Sequence, residues 1–187
     1  MSDDPIEWRL GTRYPGHDYK VFHTSFVDGT HPRCGTKRFS VIEAVDWVNV
    51  IALTPDEHVV LIRQFRVGTA KVCLEIPGGM VDPGEDAQTA AARELVEETG
   101  YTARRWERLG AVAPNPAIQN NTLHTFLALD SERTHEQKLE GSEVVTVETV
   151  PLRDVTELLK RGAIDHALVV TAFGHLAFRL GELHRPT

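Results

Sequence analysis

Three glutamates crowded into one helical turn constrain this chain more than any other feature. Residues 86–99 read as a helix, because Ala87, Ala90, Ala91 and Leu95 recur at helical spacing on one face. The small residues on that face predict close packing against a sheet. Glu85 and Asp86 stand where carboxylates suit a helix N-terminus, and Gly100 supplies the stop. On the same helix Glu94 and Glu98 are one turn apart, and Glu97 lies beside Glu94 at the three-residue spacing. Like charges so placed weaken a helix by a few tenths of a kcal/mol, roughly, per pair. An ordinary solvated acidic face is the plainer reading of a bare Glu-x-x-Glu-Glu. The alternative is that hard oxygen ligands converge here on Mg²⁺ or Mn²⁺, which typically joins a few carboxylates to substrate phosphates.

The residues before the helix favour the metal. Pro77-Gly78-Gly79 lets backbone approach a ligand closely, since glycine has no side chain to obstruct it. A carbonyl there can add a further ligand. Arg93 is the local countercharge, placed to pair with Glu97 one turn on or with Glu85 across the loop, and so to orient the ligands.

Gly79, five residues, Glu85, seven residues, Arg93-Glu94-Leu95, one residue, Glu97-Glu98, one residue, Gly100-Tyr101: this stretch resembles the Nudix box at every defining position. The resemblance implies metal-activated hydrolysis of a nucleoside diphosphate linked to a second group. It implies that Glu94, Glu97 and Glu98 are metal ligands, assisted by the Gly78 carbonyl, with Glu85 and Arg93 in support. The cofactor expected is Mg²⁺, with Mn²⁺ as a substitute.

Flanking residues narrow the substrate. Leu61-Ile-Arg63-Gln-Phe-Arg66, then Leu74-Glu75-Ile-Pro77-Gly-Gly79, is similar to the branch that hydrolyses ADP-ribose and nucleoside diphosphate sugars, and Pro116 matches that branch's downstream proline. Arg63 and Arg66 fall on opposite strand faces. Arg66, nearer the loop, is preferred for the diphosphate, and Glu75 is a candidate for substrate or water. The branch takes a general base from a loop glutamate before its last main strand. Glu143 aligns best with that position and Glu140 is the reserve. The 113–121 loop departs from the branch, with amides and prolines in place of a Ser-Pro-Gly-like turn. Trp8, Phe39 and Trp47 are candidate stacking aromatics, although core packing explains each as well. The expected reaction yields a nucleoside monophosphate and a sugar phosphate. Rival readings are a hydrolase of nucleoside triphosphates or dinucleoside polyphosphates, and a nucleotide-sensing module that does not cut.

The rest of the chain supplies the frame. Residues 19–27, 38–44, 47–53, 58–65, 106–112, 122–129 and 144–150 read as strands, and 151–161 and 164–180 as helices. The first twenty residues read as irregular, broken by Pro5, Gly11, Pro15 and Gly16, and Asp28-Gly29 reads as a hairpin turn. Strands around one helix, then closing helices, predict an α/β/α sandwich with a mixed sheet and a small N-terminal antiparallel β extension. The expected division is 1–45 for the extension, a candidate dimerisation element, and 46–187 for the hydrolase domain. A homodimer is expected by resemblance to the branch. At 187 residues the chain has length for one main core, and its net charge of −7 argues against a nucleic-acid face. No apolar export signal or membrane-spanning run is visible, so the expected location is cytoplasmic. Cys34 and Cys73 form no Cys-x-x-Cys pair, and Cys73 reads as a buried small hydrophobe.

Overall fold

The computed structural model describes residues 6–139, 141 and 143–181. It divides into two compact units. The first is Met1–Val45 with Ala113–Thr122, and the second is Asp46–Val112 with Leu123–Thr187.

The first unit is a three-stranded antiparallel sheet in the order β1-β2-β3, with β1 at Arg9–Asp18, β2 at His23–His31 and β3 at Gly35–Glu43. Here the sequence misleads. The segment expected to be irregular contains a ten-residue edge strand. Its breakers are absorbed by register shifts between Leu10 and Arg13 and between Pro15 and Asp18. A proline's missing N–H is tolerated on an edge. A side chain at Gly16 would collide with Thr24 on β2, so this glycine allows the pairing instead of ending it. Asp28-Gly29 is not a turn. Gly29 lies within β2 under the rings of Phe39 and Trp8, and the chain reverses after His31, closing at Gly35 with φ 66°. Trp8 packs edge-on against Phe39 at 5.0 Å between ring centres, which makes both part of this sheet's own packing. Cys34 is exposed in the reversal.

The second unit is the sandwich. Its strands are β4 Trp47–Leu53, β5 His58–Arg66, β6 Lys71–Glu75, β7 Gly78–Met80, β8 Tyr101–Thr102, β9 Arg105–Val112, β10 Leu123–Leu129, β11 Glu132–Arg133 and β12 Val145–Pro151. Its helices are α1 Ala87–Thr99, α2 Leu152–Lys160 and α3 Ala167–Leu180. The main sheet runs β12-β5-β4-β10-β9, with β6 beside β5 and β7 beside β4. β4 and β10 are parallel and the other pairings antiparallel, which gives the expected mixed sheet. Among the described residues no helix is long and apolar enough to cross a membrane.

Alternation along the central strands sorts the core into two layers. Val48, Val50, Ala52, Val60, Phe126 and Ala128 face Ala90, Ala91 and Leu95 of α1. Ile51, Val59, Leu61 and Leu127 face the other way, onto Val155 and Leu158 of α2 and Val169, Ala172, Phe173 and Leu176 of α3. α1 begins where Asp86, in extended conformation, accepts from the Gln88 and Thr89 amides. α3 begins three residues later than its apolar pattern suggests. His166 is its extended N-cap, and Ile164 is buried in the preceding turn, 1% exposed.

β4 and β5 share only the Leu53↔Val59 pair and part beyond it. The gap is filled by the β6–β7 segment. The Pro77 carbonyl accepts from Val50 at 2.9 Å, and β7 pairs with Trp47 to Asn49. This fork presents Gly78 and Gly79 to α1.

Ala91 is 0% exposed against this sheet face. Ala91→Leu should therefore overpack the helix–sheet contact and cost about 1–3 kcal/mol, read as a lowered urea midpoint with unchanged slope.

Candidate functional site

Three glycines allow α1 to carry its carboxylates against backbone. A Cβ on Gly78 would overlap the Val48 carbonyl, and one on Gly79 would overlap the Glu94 carboxylate. A Cβ on Gly100 would overlap the His135 carbonyl, and Gly100 holds φ 76° as the left-handed C-cap of α1. The loop after β11 covers that helix end. The Lys138 amide donates to the Glu97 carbonyl at 2.8 Å, and the Gln137 side-chain amide donates to the Glu98 carbonyl at 2.6 Å. Nothing in the spacing of Gln137 signals this role, because the loop reaches α1 only through the fold.

Glu98 is 3% exposed, and its Oε2 accepts from the Gly78 amide at 2.8 Å. Burial raises its pKa to about 8, helped by the charges of Glu94 and Glu143 and opposed by the Gly78 hydrogen bond and Arg66. Glu94 is raised by burial too, against the pull of Arg93. Glu143 is exposed just before β12, and its charge disfavours ionisation of both glutamates. Glu140 lies outside the described residues.

Arg93 gathers the acidic loop and helix. It donates to Glu85 at 3.2 and 3.0 Å, to Glu94 Oε1 at 2.9 Å, to Glu97 Oε2 at 3.1 Å and to the Met80 carbonyl at 2.9 Å. These bonds raise the Arg93 pKa, and Arg93 lowers that of Glu85. Among the described residues no three His, Cys, Asp or Glu side chains already close on one point as a ligand sphere. Glu94 and Glu97 each give one oxygen to Arg93. The donor set nevertheless suits a hard divalent cation. Glu98 is a desolvated carboxylate whose neighbouring cation, Arg66, is already bound to another acid.

That acid is Glu75. Arg66 grips it with both arms at 2.8 and 2.7 Å, and Glu75 is only 2% exposed. The Ile62↔Glu75 register puts the two on one face of the β5–β6 hairpin. Both line a cavity with Trp47, Asn49, Gly78 and Gly79. Arg63 points elsewhere, paired to Glu148 on β12 at 2.8 Å. Pro116 is exposed in a turn of the first unit. Asn49, which the sequence does not single out, and His166 also line the cavity. The one available signal was an amide inside an otherwise apolar strand.

A family model described as the NUDIX domain matches residues 43–173. ADP-ribose pyrophosphatase of Bacillus subtilis (strain 168) is 29% identical over 161 residues, 86% of this chain and 87% of that one. ADP-sugar pyrophosphatase of Mus musculus is 34% identical over 149 residues, 74% of this chain and 68% of that one. A crystal structure of an ADP compounds hydrolase superposes with TM-score 0.83 at 22% identity, covering 97% of this chain and 98% of that chain, a likeness of fold.

The raised pKa of Glu98 has a stability consequence. With a folded value of about 8 against an ordinary 4.5, the folded state holds a proton that the unfolded chain has released. That stabilisation is complete below pH 4.5 and is lost as pH rises through 8. In EDTA the melting temperature should fall across this window, and Glu98→Gln should flatten the fall. An equal pH slope in the variant would show that Glu98 does not carry it.

Proposed function

The chain belongs to the NUDIX domain family, and from that premise we propose that it hydrolyses the diphosphate of ADP-ribose or a related nucleoside diphosphate sugar, giving a nucleoside monophosphate and a sugar phosphate. The observation that carries this reading is the placement of buried Glu98 and half-buried Glu94 against the Gly78-Gly79 backbone, beside a cavity that also holds Arg66. Similarity to the bacterial and mouse pyrophosphatases along most of their length supports the substrate class.

In this proposal Glu94, Glu97, Glu98 and the Gly78 carbonyl would hold Mg²⁺, with Mn²⁺ able to replace it. Bound there, the ion would supply charge neutralisation and a more acidic water. The chain's own residues do the positioning. Arg93 fixes the direction of Glu94 and Glu97 and ties them to Glu85 on the loop. Glu75 holds Arg66 with its guanidinium at the cavity wall, ready for a phosphate oxygen. Glu143, exposed in the loop just before β12, is the base we propose for the proton of the water. Little covalent chemistry falls to the protein, so geometry and electrostatics carry most of the barrier reduction.

Two roles are proposed along the chain. The hydrolase domain is 46–187. The N-terminal sheet, 1–45, pairs subunits into a homodimer through exposed rings such as Tyr14 and Phe26, which are opposite each other on β1 and β2. Light scattering at several concentrations should give twice the chain mass, and a monomer throughout would remove this part.

With ADP-ribose and Mg²⁺ the protein should release AMP and a sugar phosphate, and EDTA should abolish turnover. Glu98→Gln should lower kcat by about a hundredfold or more while circular dichroism is unchanged. Undiminished hydrolysis in EDTA, or a near-normal kcat in the variant, would overturn the assignment. Tight nucleotide binding with no product would instead favour a sensing module.

A further inference from the structure

The last carbonyls of a helix have no partner inside it. At the end of α1 one short segment, 134–138, takes them up. The Thr134 and His135 amides donate to the Gly100 carbonyl at 3.0 Å each, and the Lys138 amide donates to the Glu97 carbonyl at 2.8 Å. The Glu98 carbonyl is met by a side chain instead, the Gln137 amide, at 2.6 Å. Capping α1 would be a full account of Gln137 if its amide made no second bond.

The same nitrogen donates to the Val145 carbonyl at 3.3 Å. A primary amide carries two N–H groups, one for each carbonyl. Gln137 is half-buried, whereas Glu132 to Glu136 are all exposed. The two carbonyls belong to different elements. One is in the last turn of α1, at the residue whose carboxylate accepts from Gly78. The other is the first residue of β12, which pairs with Gln64 of β5. One side chain therefore ties the end of the acidic helix to the start of an edge strand of the main sheet.

The place of this tie matters because of what precedes β12. Val147 packs with the core on the α1 side of the sheet. Alternation puts Val145 on that side and, carried back along the chain, Glu143 as well. Only Val144 stands between Glu143 and the tethered residue. A water would satisfy the Glu98 carbonyl equally well but would leave the start of β12 untied. We propose that Gln137 is a positioning residue for hydrolysis, which bridges the Glu98 and Val145 carbonyls and so sets where Glu143 stands relative to the acidic helix. The inference rests on the reading of Glu143 as the base and adds the part that holds it. A base must stand within hydrogen-bond reach of the proton it takes, and a misplacement of about 1 Å can cost about a hundredfold in rate.

The test is a double-mutant cycle. Gln137→Met keeps the length of the side chain and removes both donors. It should lower kcat for ADP-ribose about tenfold, with KM and the affinity for Mn²⁺, read by electron paramagnetic resonance, within about twofold of wild type. Glu143→Gln should lower kcat about a hundredfold or more. Adding Gln137→Met to that variant should cost less than about twofold, because a residue that acts through Glu143 then has nothing to position. If Gln137→Met does not fold, Gln137→Asn enters the same cycle. It keeps a donor near the helix end but is one methylene short of the present span, and the same loss of coupling is expected. An equal loss with and without the Glu143 carboxylate would overturn the proposal, as would a loss explained by weaker Mn²⁺ binding. If Glu143→Gln is slow and the Gln137 variant is not, the base reading stands and Gln137 is only the cap of α1. If Glu143→Gln works at the wild-type rate, the base reading fails and this inference falls with it. A wild type that does not cut ADP-ribose removes the hydrolytic reading itself, and the inference too, before any variant is compared.

Discussion

The hydrogen bond from the Gly78 amide to the buried Glu98 carboxylate joins the sheet to the last turn of α1. Gly78 belongs to the fork in the sheet, and Glu98 to the last turn of α1. Holding them together demands that the helix lie almost on the backbone of β7. Ala90 and Ala91 make that approach possible, and Gly79 leaves room for Glu94 beneath the helix. The small residues of α1 and the glycines of the loop therefore answer one requirement. A larger side chain in either place would separate the acids from the backbone before it disturbed the remaining core.

This closeness has an electrostatic cost that the fold carries in one place. Glu94 and Glu98 are desolvated, and both have raised pKa values. A helix built for stability alone would put a neutral residue at Glu98. The compensation is uneven. Arg93 binds Glu85, Glu94 and Glu97 but not Glu98, while Arg66 is turned toward Glu75. A divalent cation held there would favour the ionised form of Glu98. Site and strain are thus the same residues, as expected where local stability is given up for function.

What the sequence revealed follows from how local each signal is. The α1 helix, its Asp86 cap and its Gly100 stop were legible because each depends on neighbours within a turn or two. The main strands and the mixed sandwich were legible because alternation marks both faces of a buried strand. β1 was not, because Gly11, Pro15 and Gly16 are breakers in isolation and become bulges only when β2 lies alongside. Gln137 reaching the Glu98 carbonyl was hidden for the same reason, since 39 residues separate the partners. Arg63 and Arg66 looked equivalent in the strand motif. Register separates them, sending one to Glu148 and the other to Glu75.

Asn49 shows how far one sheet position can reach. An amide in the centre of a closed sheet would face packed side chains, and its spare acceptor would be a defect. Here β4 leaves β5 after Leu53↔Val59 and pairs with β7 through Asn49↔Gly78. The same separation that admits the glycine loop to α1 on one face opens a cavity toward α3 on the other. The glycine loop on one face and the cavity on the other therefore share a mechanical origin. A fork that widened would loosen the Gly78–Glu98 bond and the walls of that cavity together, so a change in α3 packing would reach the acidic loop without touching a carboxylate.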